Sequence, residues 1–241
     1  MKKLQKTSEL LWLMGILFVA LGITILNKTN LGVTMIAAPA FILSEALLPF
    51  SPFFSVGVVE YLNQAIILIV LCIILRKFNW KYLLAFAVAV MYGYVLDFFL
   101  WLAKDIEITQ LWLRWILLFV GSFSVSFGVA CFFRTYLPKK IYEVFVGELV
   151  KHFRFDINKT KMAFDMTLLG ISIVLAFTLF GDVATFDWST IGTNSFHSMG
   201  LGTLVTTFIN APMIKVFGKL LDKVSCHEPM FKKASDFLLK D

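Results

Sequence analysis

The chain has 241 residues, of which 59% are hydrophobic and only 16% charged, and its mean hydropathy is +0.83. That balance excludes an ordinary soluble domain and identifies an integral membrane protein. The net charge of +6 would suggest a nucleic-acid partner in a soluble protein, but here the basic residues stand at the ends of apolar runs, where they act as topology signals and contacts to lipid headgroups.

The opening "MKKLQKTSELLWLMGILFVALGITIL" has the lysines and apolar run of a signal peptide. The run is of span length, however, and the only A-x-A-like site, Ala38-Pro39-Ala40, lies well beyond it and carries a proline. A retained first helix, at about 9 to 27, is the expectation. "VTMIAAPAFILSEALLPF" follows, apolar but too short and too proline-interrupted to span. It predicts an interfacial or re-entrant helix.

The second span, at about 55 to 75, carries Glu60, Asn63 and Gln64 near one end. Spacings of three and four residues put them on one side of the helix. A charge at membrane depth usually has a partner or a task, so the stripe is a candidate polar site, against the plainer alternative of solvation near the headgroups. The third span, at about 82 to 103, holds Asp97 among the apolar residues of "YVLDFFLW", and its interior position suits either a hydrogen bond to another helix or proton coupling. Gly93, between Tyr92 and Tyr94, serves either close helix packing or a ligand.

The fourth span, at about 111 to 133, ends at Arg134, an anchor or an attractor of anionic solutes. In "PKKIYEVFVGELVKHF", Ile141, Val144, Phe145, Leu149 and Val150 share a face opposite the charges, again predicting an interfacial or re-entrant helix. Lys161 and Asp165 open the fifth span, at about 162 to 181. One turn apart, they either pair with each other or leave Asp165 facing the interior while Lys161 snorkels. The sixth and shortest span, at about 200 to 217, begins with Gly200, Gly202 and Thr203, followed by Thr206 and Thr207. Small residues of this kind allow close packing or an opened helix beside a ligand.

Basic residues alternate between the connecting segments. Lys2, Lys3 and Lys6, then Arg76, Lys77 and Lys81, then the run from Arg134 to Lys161, and finally the tail after Lys215 fall on one side; Lys28 and Lys104 are all the other side holds. Six spans with both termini cytoplasmic satisfy this bias. Three landmarks also recur in order: Gly22 and Gly128, Asn63 and Asp165, Gly93 and Gly202. A repeat of three spans must lie inverted relative to its twin, a recurrent plan of secondary transporters whose sites form where the halves meet. The expected fold is therefore an all-α integral membrane protein, with one three-helix repeat over 1–106, its inverted copy over 107–220 and a basic tail over 221–241.

Four segments carry a family likeness over nearly the whole chain: "LGVTMIAAPAFILS", "YGYVLDFFL", "GELVKHFRFDINKTKMAFD" and "GLGTLVTTFINAP". Together they resemble the YitT/YczE/YyaS group of bacterial multipass membrane proteins. The resemblance implies that architecture and draws attention to Gly93 and Asp97, Gly147 and Glu148, Lys161 and Asp165, and Gly202 and Thr203. The chain differs where many relatives have a more polar, proline-containing turn in place of "GVTMIAAPA", and a charged pair in place of "SMGL".

Neither the isolated Cys72, Cys131 and Cys226 nor the isolated His152, His197 and His227 show metal-ligand spacing, and no phosphate-binding loop or nucleophile elbow is present. The expectation is a protein without enzyme activity or cofactor. The expected function is that of a secondary transporter of a small polar or amphipathic solute, with the bilayer as its constant partner and protons as a candidate coupling ion. Solute or ion contacts would come from Glu60, Asn63, Gln64, Gly93, Tyr94, Asp97, Lys161, Asp165, Gly202 and Thr203. A non-transporting binding or accessory subunit is the alternative.

Overall fold

The computed structural model describes residues 8–181, 193 and 195–224. The N-terminal lysines, residues 182–192 and 194, and the tail from 225 onward, with Cys226 and His227, lie outside the described residues, as does most of the expected tail domain.

The described chain forms α1 (Ser8–Thr29), α2 (Ala38–Leu47), α3 (Val56–Leu75), α4 (Lys81–Leu102), α5 (Leu111–Phe132), α6 (Ile141–Phe153), α7 (Ile157–Phe180) and α8 (Leu201–Val224). Six of these are long and apolar enough to cross a membrane, while α2 and α6 are too short. Two spans run further than their apolar windows suggest. Asp156 accepts from the Lys159 amide at 3.0 Å and so starts α7 ahead of the hydrophobic run. α8 continues past 217 through Lys219 and Lys223, because a helix emerging from lipid keeps its backbone bonds in water too.

The bundle is centred on α1 and α5, which cross antiparallel through glycines. A Cβ on Gly22 would stand 2.7 Å from the Gly121 carbonyl oxygen, and one on Gly128 would stand 2.9 Å from that of Gly15. Backbones this close rely on the absence of side chains, the usual device where lipid offers no hydrophobic drive for helix association. α8 packs on α5, with Ser126 Oγ donating to Asn210 Oδ1 at 3.0 Å, and α4 packs on both α1 and α3. The two short helices cross between the halves of the chain: α2 lies against α3 and α7, and α6 lies against α3, α4 and α7.

Contacts among loops and helix ends separate into two groups. At one end Ser8 Oγ donates to Thr135, Tyr136 to Glu9, Tyr82 to Glu148, and Arg134 makes a bidentate pair with Asp222 at 2.7 Å. At the other, Lys28 donates to the Lys104 carbonyl, Ser195 to Asn30, the Gly202 amide to the Leu31 carbonyl, and His197 meets Glu45. The two groups match the alternation of Lys- and Arg-rich segments, so consecutive spans run in opposite directions.

Candidate functional site

The stripe on α3 is buried rather than lodged among headgroups. Glu60 retains 2% of its surface and Gln64 none. Gln64 Nε2 donates to Glu60 Oε1 at 3.4 Å, while its Oε1 accepts from the Ile141 amide at 3.1 Å. That second bond satisfies one of the free amides at the start of α6, so a side chain of α3 serves as a remote cap for a helix more than seventy residues away in sequence. Tyr142 completes the junction by donating its hydroxyl to Glu60 Oε2 at 3.3 Å.

Lys140, the residue immediately before α6, is only 4% exposed, and its Nζ lies 3.9 Å from the centre of the Tyr92 ring and 5.9 Å from that of Tyr142. Tyr92 sits midway along α4 and is fully buried. The start of α6 thus reaches the level of the middle of α4, as in a re-entrant helix, although the sequence left open whether this segment enters the bundle or lies flat on it. Its charges do not all point to solvent, because the first turn buries Ile141 and Tyr142 together with Lys140.

Several polar atoms in and around this cluster are enclosed without a hydrogen bond among the described residues: the Tyr92 hydroxyl, Glu143 Oε2, Asn63 Nδ2 and Asp165 Oδ1. Buried polar atoms are nearly always satisfied, so a group of orphans in one region calls for an explanation. Glu143 acts electrostatically on Glu60, Tyr92 and Asp165, which places these groups in one field. In the loop before α6, burial holds the Lys139 ammonium below its ordinary value against the opposing pull of Glu143.

Asp165 borders the cluster. It pairs with Lys161 at 3.5 Å, the plainer of the two arrangements open to them, and the adjacent Phe164 packs against Tyr142 and Phe145. The other expected site residues lie apart. Asp97 is engaged at the start of α3, where Oδ2 accepts from Ser55 Oγ at 2.6 Å and Oδ1 from the Gly57 amide at 2.7 Å. Gly93 packs against the Gly57 carbonyl oxygen in the same junction. Tyr94 is 65% exposed on the outside of α4. Gly202 and Thr203 belong to the opposite end of the bundle, against Leu31, Gly32 and Leu118. Arg134 is held by Asp222.

Sequence reading overlooked Lys140, Tyr142 and Glu143, and treated Tyr92 only as a neighbour of Gly93. The available signal was "KKIYE", whose two lysines were counted with the loop charges although they abut an apolar helix. Among the described residues no three His, Cys, Asp or Glu side chains gather as a metal site would require.

A family model described as a family of unknown function, DUF6198, matches residues 6–219. No curated protein and no solved structure matches the chain.

Proposed function

We propose that this chain, which belongs to DUF6198, is a carrier that moves a small polar or amphipathic solute across a bacterial cytoplasmic membrane, with both termini in the cytoplasm. The observation that carries this reading is the group of orphaned, buried polar atoms around the start of α6. A purely structural polar cluster would be expected to close its own hydrogen bonds, whereas a solute site leaves atoms for the solute. Glu60, Gln64, Tyr92, Lys140, Tyr142 and Glu143 form its centre, with Asn63, Lys161 and Asp165 at the edge. Asp97, Gly93, Tyr94, Gly202 and Thr203 are left out on the contacts given above.

The inverted-repeat plan receives support from α1 and α5. Moving 106 residues along the chain carries Gly15 to Gly121, Val19 to Val125, Gly22 to Gly128 and Leu26 to Phe132. Gly15 adjoins Phe132 while Gly121 adjoins Leu26, and Gly22 adjoins Val125 while Gly128 adjoins Val19. Such reciprocity is what a two-fold axis between repeats produces. α2 against α7 and α6 against α3 follow the same exchange. The motif likeness to the YitT/YczE/YyaS group agrees with this architecture. Short helices that end near the midplane at a repeat interface are a recurrent feature of secondary transporters, and solute movement would follow from rocking of the halves, with protons as the coupling ion.

Uptake into proteoliposomes containing only the purified protein, under an imposed proton gradient, tests the proposal. Flux of a solute that also stabilises the protein is expected, and Glu60→Gln should lower it at least about tenfold. Binding without flux would favour the accessory-subunit reading.

A further inference from the structure

The chemistry of the cluster narrows the solute class. Lys140 presents a buried ammonium to two aromatic rings and, among the described residues, to no oxygen acceptor. It also stands at the positive end of α6, so helix and side chain together favour an anionic group. Three residues on, Glu143 holds a buried carboxylate oxygen without a donor. These opposite charges, both without hydrogen-bond satisfaction, are too far apart to form an ion pair of their own, and the unpartnered Tyr92 hydroxyl belongs to the same cluster. Glu60, by contrast, has both oxygens occupied, by Gln64 and Tyr142.

We infer that the site takes a zwitterion of the α-amino-acid class. Its carboxylate meets the Lys140 ammonium, and its ammonium meets Glu143 Oε2. A simple anion would satisfy Lys140 and leave Glu143 Oε2 enclosed without a donor, while a simple cation would satisfy Glu143 and leave the Lys140 ammonium without an acceptor. Either outcome leaves a buried polar group without its hydrogen bond, a costly arrangement away from water. A ligand of no net charge also matches the local balance, since Lys139 and Lys140 offset Glu60 and Glu143. The inference rests on the cluster being the solute site of the proposed carrier.

Purified full-length protein in lipid nanodiscs provides the test, read by thermal unfolding with each of the twenty common α-amino acids. For any that stabilises, the N-acetyl derivative and the methyl ester each remove one charge. At least one amino acid should raise the unfolding temperature, and both its derivatives should bind at least about tenfold more weakly. No stabilisation by any amino acid, or equal binding of either derivative, overturns the assignment. Two variants separate the charges. Lys140→Met should weaken the amino acid about tenfold and leave the methyl ester unchanged; Glu143→Gln should weaken the amino acid and leave the N-acetyl form unchanged. Equal losses for amino acid and derivative would indicate a structural role and also overturn it. If Lys140→Met does not fold, the wild-type comparison of the derivatives still decides. Zwitterion binding without flux would defeat the carrier and leave this assignment standing, whereas flux of another solute with no amino-acid binding would do the opposite.

Discussion

At the scale of single residues, two carboxylates of the membrane region, the buried Glu60 and the half-buried Asp97, have different work. Asp97 accepts two short hydrogen bonds from the first residues of α3, Ser55 and Gly57, and so fastens the start of that helix to α4. Glu60, one turn further along, is bonded to α6 instead. Asp97→Ala should therefore destabilise the protein by about 1–3 kcal/mol, as loss of a partner to buried donors does, without changing solute affinity in the fraction that remains folded. Thermal unfolding in detergent alongside a binding isotherm checks this, and a large affinity loss with unchanged stability would return Asp97 to the site. Glu60, Gln64 and the ambiguous Asp97 were visible in the sequence because polar residues are rare in apolar spans. Which of them shared a partner was not, because that depends on a helix entering from elsewhere in the chain.

Among elements, the glycines distinguish contacts that are required from those that are incidental. Gly22 lies against the backbone of α5, while Gly170, in α7, has nothing within 4 Å of where a Cβ would go. Gly22→Ala should cost about 1–3 kcal/mol through overpacking. Gly170→Ala should be neutral or stabilising by up to about 1 kcal/mol, since alanine is the better helix former. The pair of melting curves is the check, and equal effects would mean that α1 and α5 do not cross as described. The six long helices were legible from apolar run length, and their alternation from Lys and Arg. The short ones were legible only as interruptions. "KKIYEVFVGELVKHF" has an amphipathic face that suits the surface of a membrane, yet its first turn is enclosed by α3 and α4 because Gln64 caps Ile141 and Tyr92 lies under Lys140. Amphipathic pattern reports which face is apolar and says nothing of what covers the other.

For the molecule as a whole, α2 and α6 tie the two halves of the chain together. α6 sits on α3 as well as on α7 of its own half, and α2 sits on α7 as well as on α3 of its own half. Fragments 1–106 and 107–241, expressed separately, should be poorly stable alone and should co-purify when expressed together, with a tag on either one. Co-purification no stronger than with an unrelated membrane fragment would count against an interlocked pair. Self-similarity in the sequence suggested two halves through three spaced landmarks, but the reciprocal contacts that give the idea physical content come from positions such as Val19, Leu26 and Phe132, whose apolar identity does not stand out from the residues around them.

The glycine crossing of α1 and α5 lies in the central part of both helices, and in the proposed carrier it would serve as a fulcrum. A slight tilt about it would widen the gap at one rim of the bundle as it narrowed the gap at the other, with no backbone hydrogen bond broken in either rod.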